Sequence, residues 1–227
     1  MAEKPTSIAI VMDGNRRYAR SVGLSNFEGH RQGVAKIKDV TRWAKDAGIT
    51  NIIIYGFSTE NWGRASEEVA YLMDLFAHTF GGPDLEEVIQ EGFRVRVIGE
   101  RERLPLSLQK IITAAETRTK DLLKGTLTVG ISYGGRAEIL AAVNTLLAEK
   151  VASVDEEGFR KVMWTAGIPD PDLIIRTGGD NRLSNFLPWQ SIYSELFFTN
   201  TYWPAFTHEE FNAILDAYAK RERRNGK

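Results

Sequence analysis

The chain repeats one pattern from end to end: a short apolar run rich in β-branched residues, then a longer amphipathic stretch. Strand runs fall at residues 7–13, 51–57, 93–98, 126–132 and 172–176, with a sixth near 195–198. Between them apolar residues return at helical spacing, as in Val34, Ile37, Val40, Ala44 and Ala47, closed by Gly48 as a C-terminal stop. A second stripe is Val69, Leu72, Met73, Phe76 and Phe80, with Ser66 as N-cap and Glu67 and Glu68 near the positive helix end. Residues 105–123, 135–150 and 207–220 supply three more helices. Such alternation predicts an α/β fold, a mostly parallel six-stranded sheet with helices on both faces. Gly81-Gly82-Pro83 interrupts the second stripe, because proline cannot continue an unkinked helix, and a bend or a short helix over 84–91 is expected. With no repeat, low-complexity stretch or linker, residues 1–227 are read as a single domain.

Composition narrows the function. A net charge of −1 argues against nonspecific nucleic-acid binding, so an anion site must come from local clustering. The absence of cysteine excludes disulfides, thiolate zinc sites and cysteine nucleophiles, and fits a cytoplasmic protein. No apolar signal region opens the chain and no apolar stretch is long enough to span a bilayer, so at most peripheral membrane contact is expected.

Chemistry-bearing residues gather where the strands end, which is where open α/β sheets bind ligands. After Ile8-Ala9-Ile10-Val11 the chain turns to Met12-Asp13-Gly14-Asn15-Arg16-Arg17. Asp13 offers a hard oxygen for a cation such as Mg²⁺, Gly14 lets backbone approach a ligand, and Arg16 or Arg17 can fork onto phosphate. The second strand runs out in Phe57-Ser58-Thr59-Glu60-Asn61-Trp62-Gly63-Arg64, just before a helix N-terminus that favours anions. A late strand ends in Arg176-Thr177-Gly178-Gly179-Asp180-Asn181-Arg182-Leu183-Ser184-Asn185-Phe186, whose arginines, glycines and Ser184 make a phosphate-binding constellation. Glu195 stands in an apolar, aromatic run, so it needs a partner, with Arg176 or a cation as candidates. The lone His30 is more often structural than a ligand contact, and Trp43, Trp164 and Trp203 read as packing. Two anion sites follow, one from 14–17 and Arg64, the other from 176–184, with apolar space between them. No dinucleotide or P-loop pattern follows a strand, which disfavours a nucleotide.

These motifs, with Gly29-His30, Tyr133-Gly134-Gly135-Arg136, Trp189-Gln190, Glu195-Leu196 and Trp203-Pro204, resemble those of the cis-prenyltransferases, the undecaprenyl diphosphate synthase (isoprenyl transferase) family, over nearly the whole chain. The resemblance implies a Mg²⁺-dependent enzyme that adds isopentenyl diphosphate to an allylic diphosphate, with farnesyl diphosphate as primer, and forms cis double bonds. Asp13 would be the metal-linked catalytic carboxylate. Gly14, Asn15, Arg16 and Arg17 would cradle the allylic diphosphate, with Tyr18, His30, Trp62 and Arg64 around it and Ser58, Thr59 and Glu60 lining the pocket. Asn61 matches the family's proton acceptor; an amide is a poor base, so it is read as positioning a proton path. Arg176, Arg182, Leu183 and Ser184 would hold isopentenyl diphosphate, with Glu195 as a second metal ligand. Arg224-Asn225-Gly226 resembles the family's C-terminal Arg-x-Gly motif, which implies a homodimer with Arg224 supplied to the neighbouring subunit. Membrane association would then come through the lipid product.

Four departures stand out, one of them Gly81-Gly82-Pro83, which falls in the helix that the resemblance implies walls the product tunnel. Arg16 replaces a usual glycine, Asn26 lies about where many members carry an arginine, and Ala65 replaces a common proline. Alternatives are a short-chain cis-prenyl diphosphate synthase, a noncatalytic partner subunit, and a Mg²⁺-dependent phosphohydrolase, for which the first loop offers no second carboxylate or base.

Overall fold

In the computed structural model, residues 4–221 are described. They form six strands, β1 (Ser7–Val11), β2 (Asn51–Ser58), β3 (Phe93–Ile98), β4 (Gly125–Tyr133), β5 (Leu173–Arg176) and β6 (Glu195–Phe198). Every pairing is parallel, in the order β3-β4-β2-β1-β5-β6. The order reverses around β1: the chain moves from β1 to β2 on one side and later returns to β5 on the other. Strand ends at such a switch point open into a crevice.

The helices are α1 (Asn15–Ser21), α2 (Asn26–Asp46), α3 (Ser66–Gly81), α4 (Pro83–Glu91), α5 (Leu106–Thr119), α6 (Gly135–Ala148), α7 (Glu156–Val162) and α8 (His208–Ala219). Both faces of the sheet are buried, as the alternation within β1 shows. Ile8 and Ile10 join the larger core with Ile52, Ile54, Leu173 and Ile175, while Ala9 and Val11 face a second core with Ile53, Ile174 and Phe186. Residues pointing both ways are apolar, which is why these strands read as unbroken apolar runs.

Details differ from the sequence reading where local signals are short. A seven-residue helix absent from the sequence reading, α1, follows Gly14 directly, and the first expected helix, α2, starts at Asn26, capped by Ser25, whose hydroxyl accepts from Glu28 N at 3.2 Å. The cap position of α3 is Ala65, so Ser66 is the first helical residue rather than the cap. At 81–83 the expected break occurs, with Pro83 opening α4, where its missing N–H costs nothing. No helix among the described residues is long and apolar enough to cross a membrane.

Candidate active site

Asp13 lies two residues beyond β1, held by the backbone around it. Gly14 adopts φ +103°, a left-handed turn, and a Cβ there would stand 2.7 Å from the Tyr202 ring. That turn brings the Gly14 amide to Asp13 Oδ1 at 2.6 Å. Arg17, one helical turn on, reaches the same oxygen at 3.1 Å, with its guanidinium over the Tyr202 ring. From the end of β5, Arg176 Nη2 donates to Asp13 Oδ2 at 2.8 Å. Burial pushes the Asp13 carboxyl up, but the hydrogen bond from Arg176 and the charge of Arg17 outweigh it, so its pKa lies below 3.8. Asp13 is ionised at neutral pH.

Arg176 is 4 % exposed and organises the loop behind it. Its Nη1 donates to Arg182 O at 2.5 Å and Ser184 Oγ at 2.7 Å, while Nη2 also lies 3.4 Å from Asp180. Ser184 and Asn185 both hold positive φ, which folds the loop back over the strand end. Among the described residues Arg176 Nε has no hydrogen-bond partner, a buried donor aimed at no protein acceptor. Arg182 is 62 % exposed at its side chain and pairs with Asp180 at 2.9 Å.

At the end of β2 the strand bulges between Tyr55 and Ser58, and a 3₁₀ turn over Thr59–Gly63 follows. Asn61 Oδ1 accepts from the Ser58 amide at 3.0 Å. A backbone N–H can only donate, so the side-chain oxygen is engaged and the NH₂ group is left for the cavity. Glu60 accepts from Asn185 Nδ2 at 3.0 Å and tethers this turn to the β5 loop.

These groups line a cavity of about 530 Å³ that includes Asp13, Asn15, His30, Ser58, Glu60, Asn61, Arg64, Arg176 and Ser184. A basic annex of about 290 Å³ shares Asp13, Asn15, His30 and Arg64 with it and adds Gly14, Arg16, Arg17 and Arg20. The two anion sites read from sequence are therefore contiguous and meet at Asp13. Beneath them lies a narrow apolar cavity of about 50 Å³ between α2, α3, α4 and the sheet, walled by Ile37, Ile54, Phe76, Phe80, Val88 and Leu127. Phe76 stands between the two regions: its ring comes within 3.3 Å of where a Gly56 Cβ would be, and Gly56 lines the polar cavity.

Several expected residues lie elsewhere. Tyr18, Thr59, Trp62, Arg182 and Leu183 lie outside the lining of these cavities. Trp62 donates to Ser132 Oγ at 2.9 Å and packs edge-on to Phe57, and Leu183 packs on the second core. Glu195 is neither beside Arg176 nor beside Asp13. It opens β6 in register with Leu173, at the far end of the strand pair, and its carboxylate pairs with Arg221. Arg224 lies outside the described residues. Two carboxylates pair with the site in ways the sequence reading did not assign: Asp180, which braces Arg17, Arg176 and Arg182, and Glu68, which binds His30 at 3.2 Å and Arg64 at 3.0 Å. Their signal was present, since each lies within four residues of an arginine in the motifs.

No group of three or more His, Cys, Asp or Glu among the described residues is placed to bind a metal, and Asp13 is the carboxylate that lines both the polar cavity and the basic annex. One ionised carboxylate facing an anion pocket suits Mg²⁺, which binds through one or two carboxylates with substrate phosphates completing its shell.

Comparison with known proteins agrees with this geometry. The model of the family described as "Putative undecaprenyl diphosphate synthase" matches residues 11–226. An isoprenyl transferase of Thermotoga maritima is 43% identical, over 98% of this chain and 97% of its own. A tritrans,polycis-undecaprenyl-diphosphate synthase of Methanocaldococcus jannaschii, geranylgeranyl-diphosphate specific, is 46% identical, over 98% of this chain and 83% of its own. A ditrans,polycis-undecaprenyl-diphosphate synthase of Micrococcus luteus, (2E,6E)-farnesyl-diphosphate specific, is 41% identical, over 99% of this chain and 92% of its own. Among solved structures, lavandulyl diphosphate synthase from Lavandula x intermedia, in complex with dimethylallyl diphosphate, superposes with a TM-score of 0.94 at 32% identity, covering 99% of both chains.

Proposed function

The chain belongs to the cis-prenyltransferase family of undecaprenyl diphosphate synthases and is an isoprenyl transferase, and from that premise we propose that it extends farnesyl diphosphate with isopentenyl diphosphate to a long cis-polyprenyl diphosphate such as undecaprenyl diphosphate. The observation that carries this reading is the direct Asp13–Arg176 contact, which joins two anion pockets above an apolar cavity. An allylic diphosphate fits the basic annex, with Arg16, Arg17 and Arg64 about its phosphates and its hydrocarbon directed past Phe76. Isopentenyl diphosphate fits Arg176, Ser184 and Arg182, where the unpartnered Arg176 Nε awaits an anionic acceptor.

In the reaction the allylic C1–O bond breaks and its electron pair leaves on the diphosphate. The isopentenyl double bond closes onto C1, and a proton is lost from isopentenyl C2 to form the new cis double bond. The arginines stabilise charge growing on the leaving group, a term typically worth about 10²–10³ in rate per fixed donor. An amide is too weak a base to take the proton, and with its oxygen held by Ser58 N the Asn61 side chain orients by donation from its NH₂ group, so the proton goes to a diphosphate oxygen or water. Mg²⁺, held by Asp13, would add Lewis-acid stabilisation of the phosphate oxygens.

Assembly follows the same reading. Leu140, Leu147, Ile192 and Tyr193 are exposed, as are Leu196 and Phe198 on the edge strand β6, and a second copy of the chain would cover them. In such a homodimer Arg224, and Glu195 at the β6 edge, serve the neighbouring site. Mixing Asp13→Ala with Arg224→Ala subunits tests this: recovered turnover supports the shared site, and no recovery despite subunit exchange refutes it.

A second reading, a short-chain cis-prenyl diphosphate synthase, draws on the small volume of the apolar cavity. One assay separates the two. Purified protein, Mg²⁺, labelled isopentenyl diphosphate and either farnesyl or geranylgeranyl diphosphate are incubated and the products sized. Long products primed by farnesyl diphosphate support the proposal, products ending after one or two additions favour the second reading, and preference for geranylgeranyl diphosphate overturns the primer assignment.

A further inference from the structure

Glu68 sits in the first turn of α3, where an acid normally faces solvent and interacts with the helix dipole. Here it is 9 % exposed. A carboxylate that deep is costly unless it is paired, and Glu68 is paired three ways. Its Oε1 accepts from Arg64 Nη1 at 3.0 Å and lies 3.2 Å from His30 Nε2, while Oε2 lies 3.6 Å from Arg16 Nη1. The three partners come from three places: Arg16 from α1, His30 from α2 and Arg64 from the end of the 3₁₀ turn. All three line the basic annex, and Glu68 does not. The carboxylate thus lies behind the cations, where it sets their directions without facing an incoming anion.

Order is the physical return. An arginine side chain loses considerable rotamer freedom when it is fixed on a ligand. Two arginines and a histidine tied to one buried acceptor have lost much of it before a diphosphate arrives. The contact also sets the His30 ring. Burial and the charges of Arg64 and Arg16 push its pKa below 6.5 against the pull of Glu68, so neutral His30 donates its Nε2–H to the carboxylate.

We propose that Glu68 is a positioning residue for the allylic diphosphate, acting through Arg16, His30 and Arg64 rather than by contact. This rests on the reading of the basic annex as the allylic subsite. The test measures KM for farnesyl diphosphate and for isopentenyl diphosphate, with kcat, in Glu68→Ala, Glu68→Gln and Arg64→Ala, singly and with Arg64→Ala combined with each Glu68 variant. Removing Glu68 should raise the allylic KM by about 10- to 100-fold, the range set by a hydrogen bond to a charged group, and leave the isopentenyl KM within about twofold. Glu68→Gln, which keeps one acceptor oxygen for Arg64, should recover part of that loss. Combined with Arg64→Ala, the Glu68 effect should shrink, because part of its route is gone.

A structural role gives another pattern: a lower melting temperature with both KM values unchanged or raised alike, and multiplicative effects in the double variants. That result overturns the proposal. Should Glu68→Ala fail to fold, Glu68→Gln carries the same comparison. If Arg64→Ala raises the allylic KM and folded Glu68 variants do not, the proposal fails while the subsite reading stands. If Arg64→Ala itself leaves the allylic KM unchanged, the subsite reading fails and the proposal falls with it.

Discussion

The two sides of Phe76 are built on opposite principles. Above it, at the ends of β1, β2 and β5, Asp13, Arg17, Arg176 and Asp180 form a connected ion-pair network, and Asp13 and Arg176 each hold more than one partner. Below it, the cavity is walled by aliphatic and aromatic side chains, with Lys38 at one edge tied to Asp84 at 2.6 Å and Glu87 at 2.9 Å. Under the proposed function, diphosphate recognition needs fixed directions, which the polar groups of the upper region supply by holding one another. A growing hydrocarbon needs only shape and dryness, so in the lower region side-chain size matters most. Substitutions above Phe76 should therefore change rates and affinities, and those below should change what is made.

The largest effect expected is that of Asp13→Ala, which should lower turnover by at least about 10²–10³ while circular dichroism reports an intact fold. A variant within a few-fold of wild type would remove the upper region from catalysis. Arg182→Ala comes next. Its exposed side chain pairs only with Asp180 among the described residues, and its loss should raise the isopentenyl KM by about tenfold with little change for the allylic substrate. Equal changes would mean that the two diphosphates are not separately held.

Phe76→Leu tests the lower region. Opening the wall should shift products by about one isoprene unit or more toward greater length, each added methylene gaining about 0.8 kcal/mol on burial. The rate of the first addition should stay within a few-fold, and an unchanged size distribution would separate Phe76 from chain length.

The smallest effect concerns pH. Because His30 is held below its ordinary 6.5, the unfolded chain binds a proton that the folded chain resists. Stability from neutral His30 is full above pH about 6.5 and falls as pH drops below it. Denaturant titrations at pH 5.5 and 7.5 should show this slope reduced in His30→Gln and unchanged in Phe76→Leu. An equal slope in wild type and His30→Gln would dismiss His30 as its source.

The strand-and-helix alternation was legible because both faces of a parallel sheet are buried, which makes runs such as Ile52-Ile53-Ile54 unmistakable. Short helices were not: α1 and α7 span seven residues each, too few for a periodic stripe to repeat. Within the site, Asp13, Arg64, Arg176 and Ser184 were found because they follow strands. Glu68 reads as a helix-dipole residue, because its sequence position is the same whether it faces water or three cations. Glu195 does have a charged partner, but nothing local distinguishes Arg176, earlier in the chain, from Arg221, later in the chain and beside it only in the fold. Pairing across the sheet is a property of strand register, which only three-dimensional packing decides.

The peptide that carries Asp13 is tied into the interior on both sides. Its carbonyl accepts from Trp203 N at 3.0 Å and from Thr177 Oγ1 at 2.8 Å, and fully buried Trp203 donates through its indole to Gly33 O at 2.7 Å. Hydrogen exchange at the Trp203 amide therefore requires opening of the same cooperative unit that protects β1. Any opening that releases a finished product is therefore expected outside this segment, where amides that exchange well below the global unfolding free energy, while that of Trp203 does not, would mark it.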